Sequence, residues 1–501
     1  MARKLLSLVA FLRILRLAAC QGAGACETLE LALPGKVVYR GTEAYDASNV
    51  FWSARQSNLK PACFALPESA DDVSVIIAQL TATNSTFTVK AGGHTAFPGS
   101  NIQDGVTIDL GLMNTISLSE DSQSASLGPG ARWEDVARFL DPLGLAVVGG
   151  RSPTVGVAGL ILGGGISFLS GRRGWACDNV LNFEVVLGSG EVVNANPQQN
   201  RDLYWALRGG GGANFGIVTR FDVNAYPQGD LWSRITTWPY TQRLPVLLTF
   251  ANISRDILHV DKDAHIFYHL AHVDGVDDPF VVTFAFHSDL ETPPIETPST
   301  FEALASLPDQ LSNSTVITTL GGQLELLRDT NGGRRTFLVT SISDGPGGDQ
   351  LLEDITTQWR RSSDTIRDIA HQRNKTVSSS LTVQPITHPT LQIMQRNGGN
   401  PLGLESNHES LVFIVHVLIA WEDSSLDRAI ESEWEAFFKT VDEMADAAGL
   451  ANGYKYMNYG GQSQDVYGSY GAENLERLRN VARVYDPDGA LAKLWQGYFK
   501  L

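Results

Sequence analysis

Thr88-Val-Lys-Ala-Gly-Gly-His-Thr-Ala-Phe-Pro98 changes character halfway along. Phe87, Val89 and Ala91 alternate with Thr88 and Lys90, which predicts a strand with one buried face. Gly92-Gly93 breaks the alternation, and His94 follows at once. Two residues without Cβ atoms let backbone N–H groups turn inward around an anion, and let a bulky ligand approach the main chain. A histidine just past such a turn sits where a cofactor ring would follow its phosphates. The tripeptide alone also reads as a strand-ending turn with a surface histidine.

Outward from this stretch, strands and helices alternate. Ser69 and Asp72 read as a capping box ahead of Val73, Ile76, Ile77 and Leu80 at helical spacing. A second strand runs from Gly105 to Leu110. Gly128-Pro129-Gly130 is a turn, Trp133, Val136, Ala137 and Leu140 mark another helix, and Leu145 to Val148 another strand. The pattern predicts an α+β nucleotide-binding domain. Ser152-Pro-Thr-Val-Gly-Val-Ala-Gly-Leu-Ile-Leu-Gly-Gly-Gly165 then carries most of the six glycines between Gly156 and Gly171. They are too many for a packed helix, and the run is too apolar for a linker; close backbone approach to a flat or phosphorylated ligand is its physical use. A hairpin from Phe183 to Val193 turns at Gly188-Ser-Gly190. Gly209 to Gly212 follow Arg208, and Asn214 to Val218 open an alternating strand. Neither glycine run has the spacing of a Rossmann fingerprint.

The chain has 501 residues, 43% of them hydrophobic and 19% charged, which suits a globular protein of two domains. A net charge of −17 and no Lys/Arg run argue against nucleic acid as a partner. Arg3 and Lys4 precede an apolar run from Leu5 to Leu12, and Ala23-Gly24-Ala25 offers a cleavage site before Cys26. This is the outline of a signal peptide, though Arg13 and Arg16 interrupt its core. The run is too short and too charged to span a membrane. Secretion is also consistent with sequons at Asn84, Asn252, Asn313 and Asn374. Of the cysteines left after cleavage, Cys26 and Cys63 lie near the new start and are expected to pair, leaving Cys177 free.

The ordered set of motifs resembles the vanillyl-alcohol-oxidase-type (PCMH-type) flavoproteins, specifically the berberine-bridge-enzyme-like oxidases and their fungal secondary-metabolism relatives. The matching pieces are Val89-Lys-Ala-Gly-Gly-His94, Ile108-Asp-Leu-Gly-Leu-Met-Asn114, Gly128-Pro-Gly130, Pro153-Thr-Val-Gly156, Ala176-Cys-Asp-Asn179 and Asp202-Leu-Tyr-Trp-Ala-Leu-Arg-Gly-Gly-Gly-Gly212. Tyr456-Met-Asn-Tyr459, Tyr467-Gly-Ser-Tyr470 and Asp486-Pro-Asp-Gly489 complete them. The resemblance implies a split FAD-binding domain over residues 26–225, after a signal peptide at 1–25. A substrate domain of antiparallel sheet and helices is expected over 226–449, and 450–501 returns to the FAD domain. His94 matches the histidine bonded to the 8α carbon of the flavin. Ala91, Gly92, Gly93 and Thr95 would line the cofactor with it. So would Pro153, Thr154, Val155, Gly156, Gly159, Gly163, Gly164, Asn179, Gly216, Val218 and Asn458. Many relatives attach the flavin a second time through cysteine in Cys-Pro-Thr-Val; Ser152 stands there, so the resemblance implies a single attachment. Val155 matches the position that admits or blocks oxygen, and valine there favours an oxidase.

Between Asp230 and Gly449, extended segments (Ala264 to Leu270, Phe280 to His287, Thr336 to Ser341, Leu411 to Trp421) alternate with helical patterns. Leu426, Ile430, Trp434, Phe437 and Val441 define a helix stopped at Gly449. Glu291 to Thr300, Asp344 to Asp349 and Asn397 to Pro401 read as loops. His265, His269 and His272 resemble a ligand cluster, but on a strand His272 faces away from the other two, so no metal is expected. His416 shares its strand face with Val412, Ile414, Leu418 and Ala420 and reads as a packed core histidine. It becomes a second catalytic candidate only if that face looks at the flavin.

Tyr459 matches the family's catalytic tyrosine, which takes a proton while hydride leaves carbon for the flavin. A phenol with a pKa of about 10 needs a nearby cation to act so at neutral pH; the other reading is a tyrosine that only packs against the cofactor. The resulting expectation is a monomeric, secreted or lumenal oxidase with FAD and O2 as partners, forming hydrogen peroxide. Its substrate would be a fungal natural-product intermediate, with cyclisation after oxidation as an alternative course, a carbohydrate second and a flavoprotein without turnover third.

Overall fold

In the computed structural model, residues 22–289, 297–404 and 411–501 are described. The apolar run of the expected signal peptide and most of the Glu291–Thr300 loop lie outside the described residues. Among the described residues three sheets form. The first joins β1 (Val37–Tyr39), β2 (Cys63–Ala65), β3 (Phe87–Lys90) and β4 (Val106–Asp109) in the order β1-β2-β4-β3, with β2, β4 and β3 parallel. The second is antiparallel. It contains β5 (Ile116–Leu118), β6 (Ser124–Leu127), β7 (Leu145–Val147), β8 (Val180–Val186), β9 (Val192–Ala195) and β10 (Ile217–Pro227).

The third sheet is made of β11 (Leu231–Pro239), β12 (Ala264–His272), β13 (Phe280–His287), β14 (Ser312–Thr318), β15 (Arg334–Ser343), β16 (Val377–Ile386) and β17 (Val412–Trp421). Their order is β14-β11-β13-β12-β16-β17-β15, antiparallel throughout. Helices Arg243–Asp256, Gly348–Gln372 and Asp427–Ala447 cover one face. The two-residue period of a strand explains how. Phe413, Val415, Val417 and Ile419 of β17 join the helix-side core with Phe250, Trp359 and Trp434. The alternate residues Val412 and Ile414 join the core of the first two sheets, and His416 and Leu418 face a cavity between the layers.

Three expectations change in this frame. β3 is buried on both faces rather than one: Thr88 and Lys90 are inside, and Val89 borders the cavity. Lys90 is tolerated because its Nζ meets Asp109 Oδ2 at 3.0 Å and Ser48 O at 2.6 Å, which pairs the charge. The glycine run does form a helix, Val157–Leu162, because three of its glycines fall beyond the helix end and Gly159 meets no neighbour. The helix Gly348–Gln372 takes up the end of the segment read as a loop at Asp344–Asp349.

Residues 22–32 form the first described helix, with Ala25, Cys26 and Leu29 buried, and Cys26 is bonded to Cys63. A cut after Ala25 would therefore fall inside a packed helix. Cys177 is a buried free thiol, and burial pushes its pKa up. At the other end the chain returns: Gln496 N donates to Phe87 O at 2.7 Å, beside a bridge between Phe87 and Trp495. The tail tyrosines hold the glycine loops, which lack side chains of their own. Tyr456 Oη accepts from Gly165 N and Ile166 N at 3.1 Å. Tyr467 and Tyr470 donate to Gly210 O and Gly209 O at 2.8 and 3.0 Å.

Candidate active site

A cavity of about 760 Å³ lies between the first two sheets and the bare face of the third, within the range of cofactor and ligand sites. Its floor is main chain. Gly92 and Gly156 touch backbone to backbone, so that a Cβ on either would lie 2.5–2.6 Å from the other's nitrogen. Glycine is required there by close approach, not by flexibility. Among the described residues, the N–H groups of Gly92, Gly93, His94 and Thr95 find no protein acceptor. Four consecutive unsatisfied donors bordering a cavity make an anion cradle. The buried Gln56 holds the turn from behind, donating to Thr95 O at 2.6 Å and accepting from Ser100 N at 2.8 Å.

His94 is held on both sides. Its ring stacks on Trp52 with centroids 4.3 Å apart, and its Nε2 lies 3.3 Å from Thr154 Oγ1. Trp52 is fixed in turn by Asp329, which accepts from its Nε1 at 2.8 Å, and by Arg335 across its other side at 4.4 Å. Burial, reinforced by Arg132 and Arg335, pushes the His94 pKa down to about 3. The imidazole is therefore neutral and keeps the lone pair that bond formation needs.

Opposite the floor, Tyr459 belongs to a short 3-10 turn, Met457–Tyr459, rather than to a strand or a longer helix. It is no less fixed. Its ring stacks on His416 at 4.1 Å and contacts Phe337 and Tyr456, and its hydroxyl oxygen accepts from Arg151 Nη2 at 2.8 Å. The other arm of Arg151 lies 2.9 Å from His265 Nε2. Burial holds the pKa of His265 well below the usual range, so that nitrogen accepts. Asn458 donates to Leu160 O and Tyr456 Oη at 3.1 and 2.9 Å, tying the tail to the glycine helix.

A family model described as a FAD binding domain matches residues 61–196. A FAD-dependent monooxygenase of Cochliobolus heterostrophus is 33% identical over 472 residues, covering 91% of this chain and 87% of its own. The xylooligosaccharide oxidase of Myceliophthora thermophila has a TM-score of 0.76 at 19% identity, over 95% of this chain and all of that one. Berberine bridge enzyme has a TM-score of 0.73 at 16% identity, over 95% and 100%. The chain belongs to the family of fungal FAD-dependent oxidoreductases that includes this Cochliobolus relative, and it shares the fold of berberine bridge enzyme.

The residues present fit the cofactor of such an oxidoreductase. The unsatisfied N–H groups of Gly92 to Thr95 would hold its phosphates, and the Gly92–Gly156 pair leaves the main chain bare for close approach. Of the residues expected to line it, Ala91, Gly92, Gly93, His94, Thr95, Val155, Gly156, Gly159, Gly163, Gly216, Val218 and Asn458 border the cavity. Four others do not. Thr154 stands behind His94. Pro153 is buried, its carbonyl accepting from Glu134 N, and Gly164 packs against the Trp175 ring. Asn179 donates to Arg173 O and Trp175 O and accepts from Tyr226, fastening a turn away from the cavity.

His416 reverses its expected role. It borders the cavity, hydrogen-bonds to no protein group among the described residues, and has a sealed, unpartnered Nδ1. His272 faces away, its nitrogens near Ser363 Oγ and Asp277 O. The sequence reading missed Trp52, Arg151, Ser380 and Thr382. Arg151 stood one residue before the noted Ser152. β16, which carries Ser380 and Thr382, had no motif to mark it.

Proposed function

We propose that this oxidoreductase is an oxidase that takes a hydride and a proton from a small oxygenated or aminated organic molecule and passes the electrons to O2. The observation that carries the reading is the hydrogen bond from Arg151 to Tyr459 inside the cavity. A guanidinium at that oxygen stabilises the phenolate left when the proton has gone, so Tyr459 is suited to accept a proton from the substrate. Bound FAD supplies the two-electron acceptor and the return of electrons to oxygen as hydrogen peroxide. The chain supplies the rest. Gly92 to Thr95 bind phosphate, neutral His94 is the attachment point, and Tyr459 receives the proton. Ser152, which borders the cavity, leaves no thiol for a second attachment.

A fungal natural-product alcohol, amine or polyketide fits as substrate, because Phe267, Phe284, Phe337 and Leu418 make much of the roof apolar. A carbohydrate is the second class, prompted by the fold shared with the xylooligosaccharide oxidase. The Cys26–Cys63 bond and the exposed Asn84, Asn252, Asn313 and Asn374 are consistent with a secreted or lumenal glycoprotein. Among the described residues no helix is long and apolar enough to cross a membrane. The deciding experiment measures peroxide release against panels of aromatic or polyketide alcohols and of sugars. One peroxide per product supports an oxidase. Transfer of an atom of isotopically labelled dioxygen into the product would overturn it in favour of the monooxygenase chemistry named for the Cochliobolus relative.

A further inference from the structure

The roof of the cavity carries one polar row in an otherwise largely apolar face. His269 pairs with Thr382 across β12 and β16, and Thr382 pairs with His416 across β16 and β17. Paired residues share a sheet face, so the three side chains stand in line, separated by the inter-strand spacing of ~4.8 Å. All three border the cavity. To one side of the row lie Phe267, stacked on Phe284 at 4.6 Å, and the buried Gln384, which does not border the cavity; to the other lie Leu418, Phe337 and the polar Ser380.

Each member has hydrogen-bonding capacity to offer. His269 Nδ1 and Thr382 Oγ1 are 2.9 Å apart, which leaves the other histidine nitrogen uncommitted. His416 is nine-tenths buried and hydrogen-bonds to no protein group among the described residues. Burial lowers the pKa of both histidines, that of His269 to about 4. Each is therefore uncharged, and Nε2 is the ring nitrogen each has left for a ligand. Buried polar groups are ordinarily satisfied, and here the remaining source of partners is whatever enters the cavity. No carboxylate or amide of the roof borders the cavity. Asp329, at the rim, is the one acid doing so among the described residues, and it is engaged by Trp52 and Arg335.

We propose that His269, Thr382 and His416 form a recognition row for a planar aromatic substrate bearing two oxygen functions meta to each other, in phenol or ketone form. Meta oxygens are separated by nearly the distance between neighbouring strands, so one meets Thr382 and the other His416, the member without a protein hydrogen bond among the described residues. Ortho oxygens are too close together to do so. A sugar would bring paired vicinal hydroxyls to a roof with no carboxylate or amide to receive them. The aromatic side chains flanking the row supply apolar walls for a flat ring. This rests on the oxidase reading for the reaction that follows binding, but not for binding itself.

The test uses the flavin-loaded full chain and four probes: meta-dihydroxybenzene, ortho-dihydroxybenzene, phenol and a disaccharide. Binding is followed by calorimetry and by perturbation of the flavin spectrum. The meta isomer should bind roughly tenfold or more tighter than the other three, the worth of about one hydrogen bond. Thr382→Val, which keeps shape, and His416→Phe, which keeps the ring against Tyr459, should each reduce the meta isomer to the affinity of phenol. His416→Gln should restore part of the preference. An unchanged flavin spectrum in each variant shows that the fold is retained. Equal binding of the ortho isomer or the disaccharide, no measurable binding of the meta isomer, or an undiminished preference in the two variants overturns the proposal. Because peroxide is not the readout, failure of the oxidase reading would appear separately, as preserved preference without peroxide.

Discussion

Replacing Tyr459 by phenylalanine removes one oxygen atom and little else. The ring keeps its stack on His416 at 4.1 Å and its contact with Phe337 at 5.3 Å, so the turn Met457–Tyr459 has no reason to move. Arg151 loses one acceptor but retains His265, and it lies over the Phe267 ring at 5.1 Å. Gly92 to Thr95, proposed above to hold the flavin, are not reached by this change. A positioned base contributes about 10²–10⁴-fold. Tyr459→Phe should therefore keep the bound flavin and its spectrum while slowing substrate-driven flavin reduction by roughly 100-fold or more. Reoxidation by oxygen, for which the family resemblance implies the Val155 side, should change little. Anaerobic stopped-flow absorbance separates the two half-reactions. Unaltered reduction in the variant would refute Tyr459 as the base and make His416 the next group to test.

Acid-precipitated protein should remain yellow, and His94→Ala should release its flavin on the same treatment; flavin lost from the unmutated protein would exclude the attachment, and a peptide adduct at Cys177 would exclude its being single. N-terminal sequencing of secreted protein should find a mature start at or before Gly22, because Ala25 and Cys26 are packed inside the helix of residues 22–32. Non-reducing peptide mapping should recover Cys26 joined to Cys63, a link worth about 2–4 kcal/mol; two free thiols would count against secretion as well. Stability should rise with pH between about 4 and 6.5 and level off above. The folded-state pKa of His269 is lowered to about 4, so over that window the unfolded chain binds the extra proton. Denaturant midpoints of His269→Gln should show a shallower slope there, and an identical slope would mean that His269 titrates normally in the fold.

The floor of the site was legible in the sequence and the roof was not, for a physical reason. A floor that touches phosphate with main chain has to be built of glycines, and glycines in a fixed order, such as Gly92-Gly93 and Gly211-Gly212, leave a local trace. A roof built from side chains on β12, β16 and β17 leaves none, since its residues are adjacent only across strands. His269, Thr382 and His416 are a row because of register, which no single segment encodes. The same separation explains the error over His416. Its neighbours Val412 and Ile414 do enter a packed core, so the strand face reads as apolar, and the change from core to cavity two residues on follows from what lies beneath the sheet. Asn179 misled in the opposite sense. It belongs to a motif beside a glycine loop, but its side chain is spent on Arg173 and Trp175 carbonyls.

The return of the C-terminal segment to the first sheet bears on how the site assembles. Glycine loops that leave room for a cofactor cannot hold themselves, and here hydroxyls from the last fifth of the chain hold them. Tyr456 binds the loop after Leu162, while Tyr467 and Tyr470 bind the loop after Arg208. The same tail brings Tyr459 to Arg151 and Asn458 to Leu160. Floor and base are therefore completed by one event, the return of the tail across the first sheet at Phe87 and Trp495. The loop that carries His94 meets the same tail at Gly99 and Tyr498. A base fixed by the same residues that shape the cofactor cradle cannot be in place while the cradle is open, so proton removal is confined to the assembled site.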